Sequence, residues 1–353
     1  MSEAAKSSSL RFLCFGMGAI GTYIGGSLAL AGYPVSFIER SNLAGKIKES
    51  GLTLNLPTGK HILREVTVYP SLQEAMQGGA YNVALLAVKS FDTAGVIEGI
   101  RPLQEIFPTI LCLQNGVENE AALEALLGKN RVIGASIGTA VSKKGLGNIS
   151  VEKMRGIGIE SIHPLSESLI AAFNLAGLNA LGYPRRADLK WSKMISNLLG
   201  NATSAILNWT PAQVFSDRRI YQVEVEQLRE TLAVMQRLQI HVVNLPGTPI
   251  KPLVDLIKIL PLSLSRPISY LAMGKGRGAK MPSFHIDLYA GQTRSEVTFL
   301  NGAVVRAGKQ LGIRTPVNQA LTETLEGLAS GQLEKTDFVD QPEKLFSRTR
   351  EAL

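Results

Sequence analysis

Near-continuous apolar runs at residues 11–15, 35–39, 83–88 and 109–113 are separated by stretches of helical spacing. Strands covered on both faces read as unbroken apolar runs, whereas half-buried strands alternate apolar with polar residues. Such runs interleaved with helices imply a doubly wound parallel sheet. Over 132–183 the pattern shifts to short β-rich pieces, Val132–Ile137, Ile149–Lys153, Gly156–Glu160 and Asn179–Leu181, set apart by glycines. These are expected to extend the sheet as antiparallel strands. Past Tyr183-Pro184-Arg185-Arg186 the period is helical almost to the end. The pattern therefore predicts an α/β Rossmann-type N-terminal domain over 1–185 and an all-α C-terminal domain over 186–353. Between about 243 and 282 lies a segment rich in proline and glycine, Leu245-Pro246-Gly247 through Gly274-Lys275-Gly276-Arg277-Gly278. It reads as a mobile lid or as an insertion with its own short helices.

The first apolar run, Arg11-Phe12-Leu13-Cys14-Phe15, flows into Gly16-Met17-Gly18-Ala19-Ile20-Gly21, and Ala19 to Ala31 is helix-like. A strand that enters a helix through G-x-G-x-x-G leaves backbone N–H groups open at the helix N-terminus, where a dinucleotide pyrophosphate binds. Gly16 suits the tight turn, Gly18 the approach of phosphate, and Gly21 close packing of helix on strand. The second strand, Pro34 to Ile38, ends in Glu39-Arg40. A carboxylate there accepts from a ribose 2′-hydroxyl, and an arginine pairs with a 2′-phosphate; this chain has both. The next two strand ends carry Lys89 and Gln114-Asn115-Gly116, where ligands of open α/β sheets bind.

In the second half, Lys193, Asn197 and Asn201 are spaced i, i+4, i+8. On one helix their directions drift by only about 80°. Asparagine is a poor helix former, so two of them on one face amid apolar neighbours suggest amides kept for hydrogen bonding. Further on stand Ser283 and Asp287, then Glu296 at the start of an amphipathic helix expected over Glu296–Leu311.

Composition narrows the field. The 353 residues are 45% hydrophobic and 19% charged, with a net charge of +8, a balance that fits a two-domain globular protein. Lysine and arginine are scattered, with short clusters only at Lys143-Lys144, Arg185-Arg186 and Lys275 to Lys280. That favours anionic small molecules over nucleic acid. Cys14 and Cys112 both lie in strand-like runs and read as buried free thiols. The four histidines lack metal-ligand spacing, so no metal is expected. No apolar stretch approaches the ~18 residues of a membrane span, and Met1–Leu10 lacks a signal-peptide core. A cytoplasmic location is expected. A homodimer is compatible with the helical half, though nothing in the sequence fixes it.

Taken in order, Gly16-x-Gly18-Ala19-Ile20-Gly21, Lys89, Gln114-Asn115-Gly116, the Lys193/Asn197/Asn201 helix, Ser283 with Asp287, and Glu296 followed by Leu300-Asn301-Gly302 resemble the ketopantoate (2-dehydropantoate) reductases. The likeness runs from about residue 10 to about residue 325. The resemblance implies an NADP(H)-binding Rossmann domain, a helical domain, and a substrate cleft between them. Residues 16–21 would hold the cofactor, with Arg40 and Lys89 on the 2′-phosphate and Asn115 beside nicotinamide and substrate. Lys193 would be the general acid. Asn197, Asn201 and Ser283 would hold substrate oxygens, and Glu296 would orient substrate and Lys193. The implied activity is NADPH-dependent reduction of 2-dehydropantoate to (R)-pantoate, on the route to pantothenate and coenzyme A. The alternatives are a related reductase of another small oxo acid and a non-catalytic NADPH sensor. The chain departs from the family pattern in Glu39 beside Arg40, in Asn208-Trp209-Thr210-Pro211-Ala212, and in Thr298 with the long 243–282 segment.

Overall fold

A computed structural model describes residues 10–271 and 281–351. Its order begins β1 (Phe12–Phe15), α1 (Ala19–Leu30), β2 (Val35–Ile38), α2 (Ser41–Ser50), β3 (Leu52–Leu56), β4 (Gly59–Leu63), β5 (Thr67–Tyr69), α3 (Leu72–Gln77), β6 (Val83–Leu86), α4 (Thr93–Ile100), β7 (Thr109–Cys112) and α5 (Asn119–Leu127). There follow β8 (Val132–Ile137), β9 (Ala140–Gly145), β10 (Asn148–Lys153), β11 (Ile157–Glu160), α6 (Ser166–Leu175) and β12 (Ala180–Tyr183). The remainder is helical: α7 (Arg186–Leu198), α8 (Ala202–Leu207), α9 (Pro211–Ser216), α10 (Arg218–Arg237), α11 (Lys251–Ile259), α12 (Leu262–Ser269), α13 (Ser283–Tyr289), α14 (Asn301–Leu311), α15 (Pro316–Ser330) and α16 (Pro342–Glu351).

The chain divides into two compact units. The first holds the residues through Gln114, Asn119–Leu189 and Leu245–Thr248; the second holds Asn115–Glu118, Lys190–Asn244 and the chain from Pro249 onward. The first turn of α7 thus stays with the first unit.

Eight strands of the first unit form one sheet in the order β12-β11-β8-β7-β6-β1-β2-β5. β1 runs parallel to both neighbours, with Phe12 opposite Val35 of β2 and Val83 of β6. Alternate residues of a strand face opposite sides. Phe12 and Cys14 accordingly pack with Phe37, Leu85 and Leu111 on one face, while Leu13 and Phe15 pack with Ala84, Leu86 and Ile110 on the other. Both faces are dry, which is why these strands read as unbroken apolar runs.

The antiparallel extension expected over 132–183 is found only in part. β11 is antiparallel to β8, but β8 is parallel to β7 and β12 is parallel to β11. β10 leaves this sheet altogether. It joins a second, four-stranded sheet, β4-β3-β10-β9, parallel to β3 and antiparallel to β9. The cause lies in α1, which is buried from Gly21 through Leu28. A Cβ on Gly25 would stand 2.5 Å from the Phe37 ring of the large sheet, and one on Gly26 would stand 2.7 Å from Leu54 of the small sheet. Small residues on two sides of one helix let both sheets close on it, and Leu52, Leu54 and Ile149 supply the apolar side of the second sheet.

In the second unit α10 is the central post, contacted by α9, α14, α15 and α16. α11 and α12 are the short helices of the 243–282 segment; the Gly274–Gly278 stretch and the Lys275–Lys280 cluster lie outside the described residues. Among the described residues no helix is long and apolar enough to cross a membrane, and no group of three or more His, Cys, Asp or Glu side chains is placed to hold a metal ion. Both cysteines are buried free thiols. Burial, and then the charge of Glu39, push the Cys14 thiol up to about 12, so it is inert as a nucleophile at neutral pH.

Candidate active site

In the first unit the candidate cofactor-binding feature is the turn from β1 into α1. Gly16 has φ +86°, a left-handed conformation that a residue with a Cβ adopts at a cost, and its N–H donates to Ile38 O at 3.3 Å. A Cβ on Gly21 would lie 1.8 Å from Gly16 O, so helix and loop touch through bare backbone. A Cβ on Gly18 would meet nothing within 4 Å, leaving open space above the loop. No side chain caps α1, and no acid lies in its first turn. The positive helix end and an open glycine face are the donor set that a pyrophosphate takes. A dinucleotide fits residues Gly16, Met17, Gly18, Ala19, Ile20 and Gly21 on these grounds.

The two neighbouring residues at the end of β2 are used differently. Glu39 turns its carboxylate to the loop, accepting from Met17 N–H at 3.1 Å and from Arg40 N–H at 2.9 Å. Arg40 is exposed and opens α2 as its N-cap residue. Lys89 is half-buried at the end of the β6 run. Gln114 is buried and donates to the carbonyls of Val88 and Lys89 at 3.1 and 3.3 Å and to Thr93 Oγ1 at 2.9 Å. It fastens the β6 and β7 ends together and so fixes where Lys89 emerges.

In the second unit four polar residues form a continuous hydrogen-bonded run. Asn197 Nδ2 donates to Asn115 Oδ1 at 3.1 Å; Asn201 Nδ2 donates to Asn197 O at 3.0 Å and to Ser283 Oγ at 3.3 Å. Asn201 Oδ1 accepts the N–H of Phe284 at 3.0 Å, which ties the start of α13 to the start of α8. Lys193 lies one turn before Asn197 on α7 and is half-buried.

Lys193, Asn197 and Asn201 do not all share one helix, contrary to the expected single-helix stripe. α7 ends at Leu198, Gly200 takes φ +61°, and Asn201 is the N-cap residue of α8. A left-handed glycine is a common helix stop, and Leu199-Gly200-Asn201 carried that signal. The amides still come together, through a break rather than along a face. The helix expected over Glu296–Leu311 also divides: Glu296–Phe299 is a 3-10 turn, Leu300 breaks it at φ −110°, ψ −86°, and α14 follows. Glu296 is buried, 4% exposed, in that turn.

One feature carries no signal in the sequence. Arg306 of α14 grips Glu118 with Nε on Oε1 at 2.9 Å and Nη2 on Oε2 at 2.5 Å, and also donates to Thr298 O at 2.8 Å. This bidentate pair anchors the Asn115–Glu118 segment within the second unit. The region 208–212 is likewise structural: Trp209 Nε1 donates to Asp340 at 2.7 Å, and Thr210 forms a capping box with Gln213.

A parallel sheet with a glycine-loop helix, continued in one chain by a helical unit bearing a lysine and a run of amides, is the architecture of a nicotinamide-dependent oxidoreductase. The family model described as ketopantoate reductase PanE/ApbA matches residues 12–163, and its C-terminal counterpart matches residues 187–329. The chain belongs to the ketopantoate reductase family, whose members are oxidoreductases acting on a CH–OH group. A 2-dehydropantoate 2-reductase of Pyrococcus horikoshii is 25% identical over 330 residues, covering 91% of this chain and 99% of that one. The crystal structure of a PanE/ApbA family ketopantoate reductase from Ralstonia eutropha JMP134 superposes with a TM-score of 0.76 at 28% identity, covering 91% of this chain and 99% of that one. A D-mandelate dehydrogenase solved with NADH and anilino(oxo)acetate shares the fold, at a TM-score of 0.75 and 19% identity over 91% of this chain and 99% of that one.

Proposed function

We propose that this protein reduces 2-dehydropantoate to (R)-pantoate with NADPH, serving pantothenate and coenzyme A synthesis in the cytoplasm. The observation that carries the reading is the run Asn115–Asn197–Asn201–Ser283, one helical turn beyond Lys193, in a chain of this family. When bound, a nicotinamide supplies the hydride. Reduction of a ketone builds negative charge on its oxygen, and the Lys193 ammonium stabilises that charge and gives up a proton to it. Neutral amides orient the 2-oxo acid without adding charge. Glu296, buried in its 3-10 turn, is the orienting carboxylate. Arg40 and Lys89 are the cations for the adenosine 2′-phosphate. The partner is a small anionic oxo acid, in keeping with the chain's net charge of +8; a homodimer is compatible with this reading.

One observation favours a second reading of the cofactor. The Glu39 carboxylate, held by Met17 and Arg40 N–H groups, is an acceptor suited to a ribose diol and repels a phosphate. The mandelate dehydrogenase that shares this fold was solved with NADH.

The test is direct. Purified protein is mixed with NADPH or NADH and with ketopantoate or other small 2-oxo acids, and the nicotinamide absorbance is followed. Fast loss with NADPH and ketopantoate is expected. Turnover of other oxo acids alone would replace the substrate, and cofactor binding without turnover of any oxo acid would replace the enzyme by a sensor.

A further inference from the structure

Beneath the α7–α8 break lies a buried polar spine that no part of the proposed chemistry uses. Glu224 of α10 is fully buried. Its Oε2 accepts the N–H of Gly200 at 2.7 Å and Gln227 Nε2 at 2.8 Å, and its Oε1 accepts Thr203 Oγ1 at 2.6 Å. Two of those donors belong to the break itself. Gly200 is the left-handed residue that ends α7, and Thr203 stands in the first turn of α8. A carboxylate in a dry interior is tolerated only when donors surround it, so relaxing the break takes away two of the donors that hold Glu224.

The spine runs on from Gln227. Its Oε1 accepts Asn301 Nδ2 at 3.0 Å, and the same Nδ2 donates to Asn318 Oδ1 at 3.0 Å. Asn318 Nδ2 then donates to Glu230 Oε2 at 2.7 Å. In these bonds Glu224 and Glu230 accept, so the NH2 groups of Gln227 and Asn318 face the two carboxyl groups and the two amide oxygens face Asn301. Gln227, Asn301 and Asn318 are all fully buried, so water does not compete for these bonds. Asn301 is the first residue of α14, two positions after the turn Glu296–Phe299.

Resting on the reductase reading above, we propose that Glu224 is a positioning residue for the substrate amides. It acts through Gly200 to set the break that aims Asn197 and Asn201, and through Gln227 and Asn301 to set the level of the turn bearing Glu296. It touches neither substrate nor cofactor in this assignment.

The spine also indicates which replacement rescues. With a glutamine at 224, Oε1 in the place of Oε2 keeps the bonds from Gly200 and Gln227. Its NH2 then donates to Thr203 Oγ1, which can accept as well as donate. Glu224→Gln preserves all three bonds to residue 224 named here, whereas Glu224→Leu removes them.

Three variants, Glu224→Leu, Glu224→Gln and the milder Thr203→Val, are compared with wild type by ketopantoate kinetics, NADPH titration, thermal melting and hydrogen exchange. For Glu224→Leu the expected loss in kcat/KM is on the order of 30-fold, with NADPH affinity unchanged within about twofold. Glu224→Gln recovers kcat/KM to within about threefold, and Thr203→Val loses about fivefold. In a double-mutant cycle the loss from Glu224→Leu is largely absorbed when Asn197→Ala is already present. Hydrogen exchange quickens at 199–203, 283–285 and 300–302 in Glu224→Leu, and in Thr203→Val at 199–203 if the leucine variant does not fold. A folded Glu224→Leu or Thr203→Val protein with wild-type kcat/KM, losses that multiply with Asn197→Ala, or exchange changes confined to α10 would each overturn the proposal. Should the wild type turn over no oxo acid, the reductase reading fails, while the exchange pattern still decides whether Glu224 holds the break.

Discussion

In the proposed reading the working atoms at the end of β1 are backbone amides, and side chains matter mainly by being absent: Gly21 brings α1 against the loop because a Cβ there would sit 1.8 Å from Gly16 O. In the same reading the working atoms at the α7–α8 junction are side-chain amides and a hydroxyl, aimed by further hydrogen bonds, as Asn201 is by Phe284 N–H and Ser283. The contrast teaches that the two sites should fail differently. A backbone site is broken by adding a methyl group, whereas a side-chain site is detuned by removing one hydrogen-bond partner. The first loses ligand outright; the second keeps its fold and loses rate.

The largest effect expected from this comparison is that of Gly21→Ala. The loop must part from α1 to admit the methyl group, and NADPH affinity should fall by at least ~100-fold in a fluorescence titration. An affinity within a few-fold of wild type would show that the loop does not carry the pyrophosphate. Next in size is Asn197→Ala, which removes the amide that donates to Asn115. A rise in ketopantoate KM of roughly tenfold is expected with NADPH affinity unchanged; equal losses in both would place Asn197 outside the substrate site. Arg40→Ala should weaken NADPH by about tenfold and NADH little. Glu39→Gln should shift the preference the other way, toward NADPH, by removing the negative charge at the loop. Unchanged cofactor ratios in both variants would end the roles given to this pair.

The smallest expected effect concerns stability alone. Burial pushes the Asp217 carboxyl up, but bonds from the Arg219 side chain and the Ile220 and Arg219 amides outweigh it and hold the group below its usual range. Asp217 caps α10, so its contribution is present above the unfolded carboxylate value near about 4 and is lost as pH falls through the lowered native one. In acid titration followed by circular dichroism, Asp217→Asn should show a shallower loss of stability than wild type. Its deficit at pH 7 should be only a few tenths of a kcal/mol, because asparagine caps a helix about as well as aspartate and the ion pair lost is solvent-exposed. An identical acid slope would remove Asp217 from the account.

Legibility followed the same division. The glycine turn and its helix packing were readable because their demands are local, met within six consecutive residues. The parallel runs of β1, β6 and β7 were readable because both of their faces are dry. The second sheet was not, since β10 pairs with β3 from about a hundred residues earlier, and no periodicity records that partnership. Lys193, Asn197 and Asn201 stand out by spacing, but spacing alone runs a helix through Gly200, whose left-handed conformation ends it. Glu224 and Gln227 were invisible for another reason. On an amphipathic helix such as α10 they read as ordinary polar residues, and only the fold reveals that they face Gly200, Thr203 and Asn301 in the interior.

The central claim is that Lys193 donates the proton while a separate backbone site holds the nucleotide. Its most direct test is Lys193→Ala assayed for ketopantoate turnover and NADPH binding side by side. The account requires kcat to fall by at least ~100-fold with NADPH affinity nearly unchanged. A variant that turns over at close to the wild-type rate would contradict it.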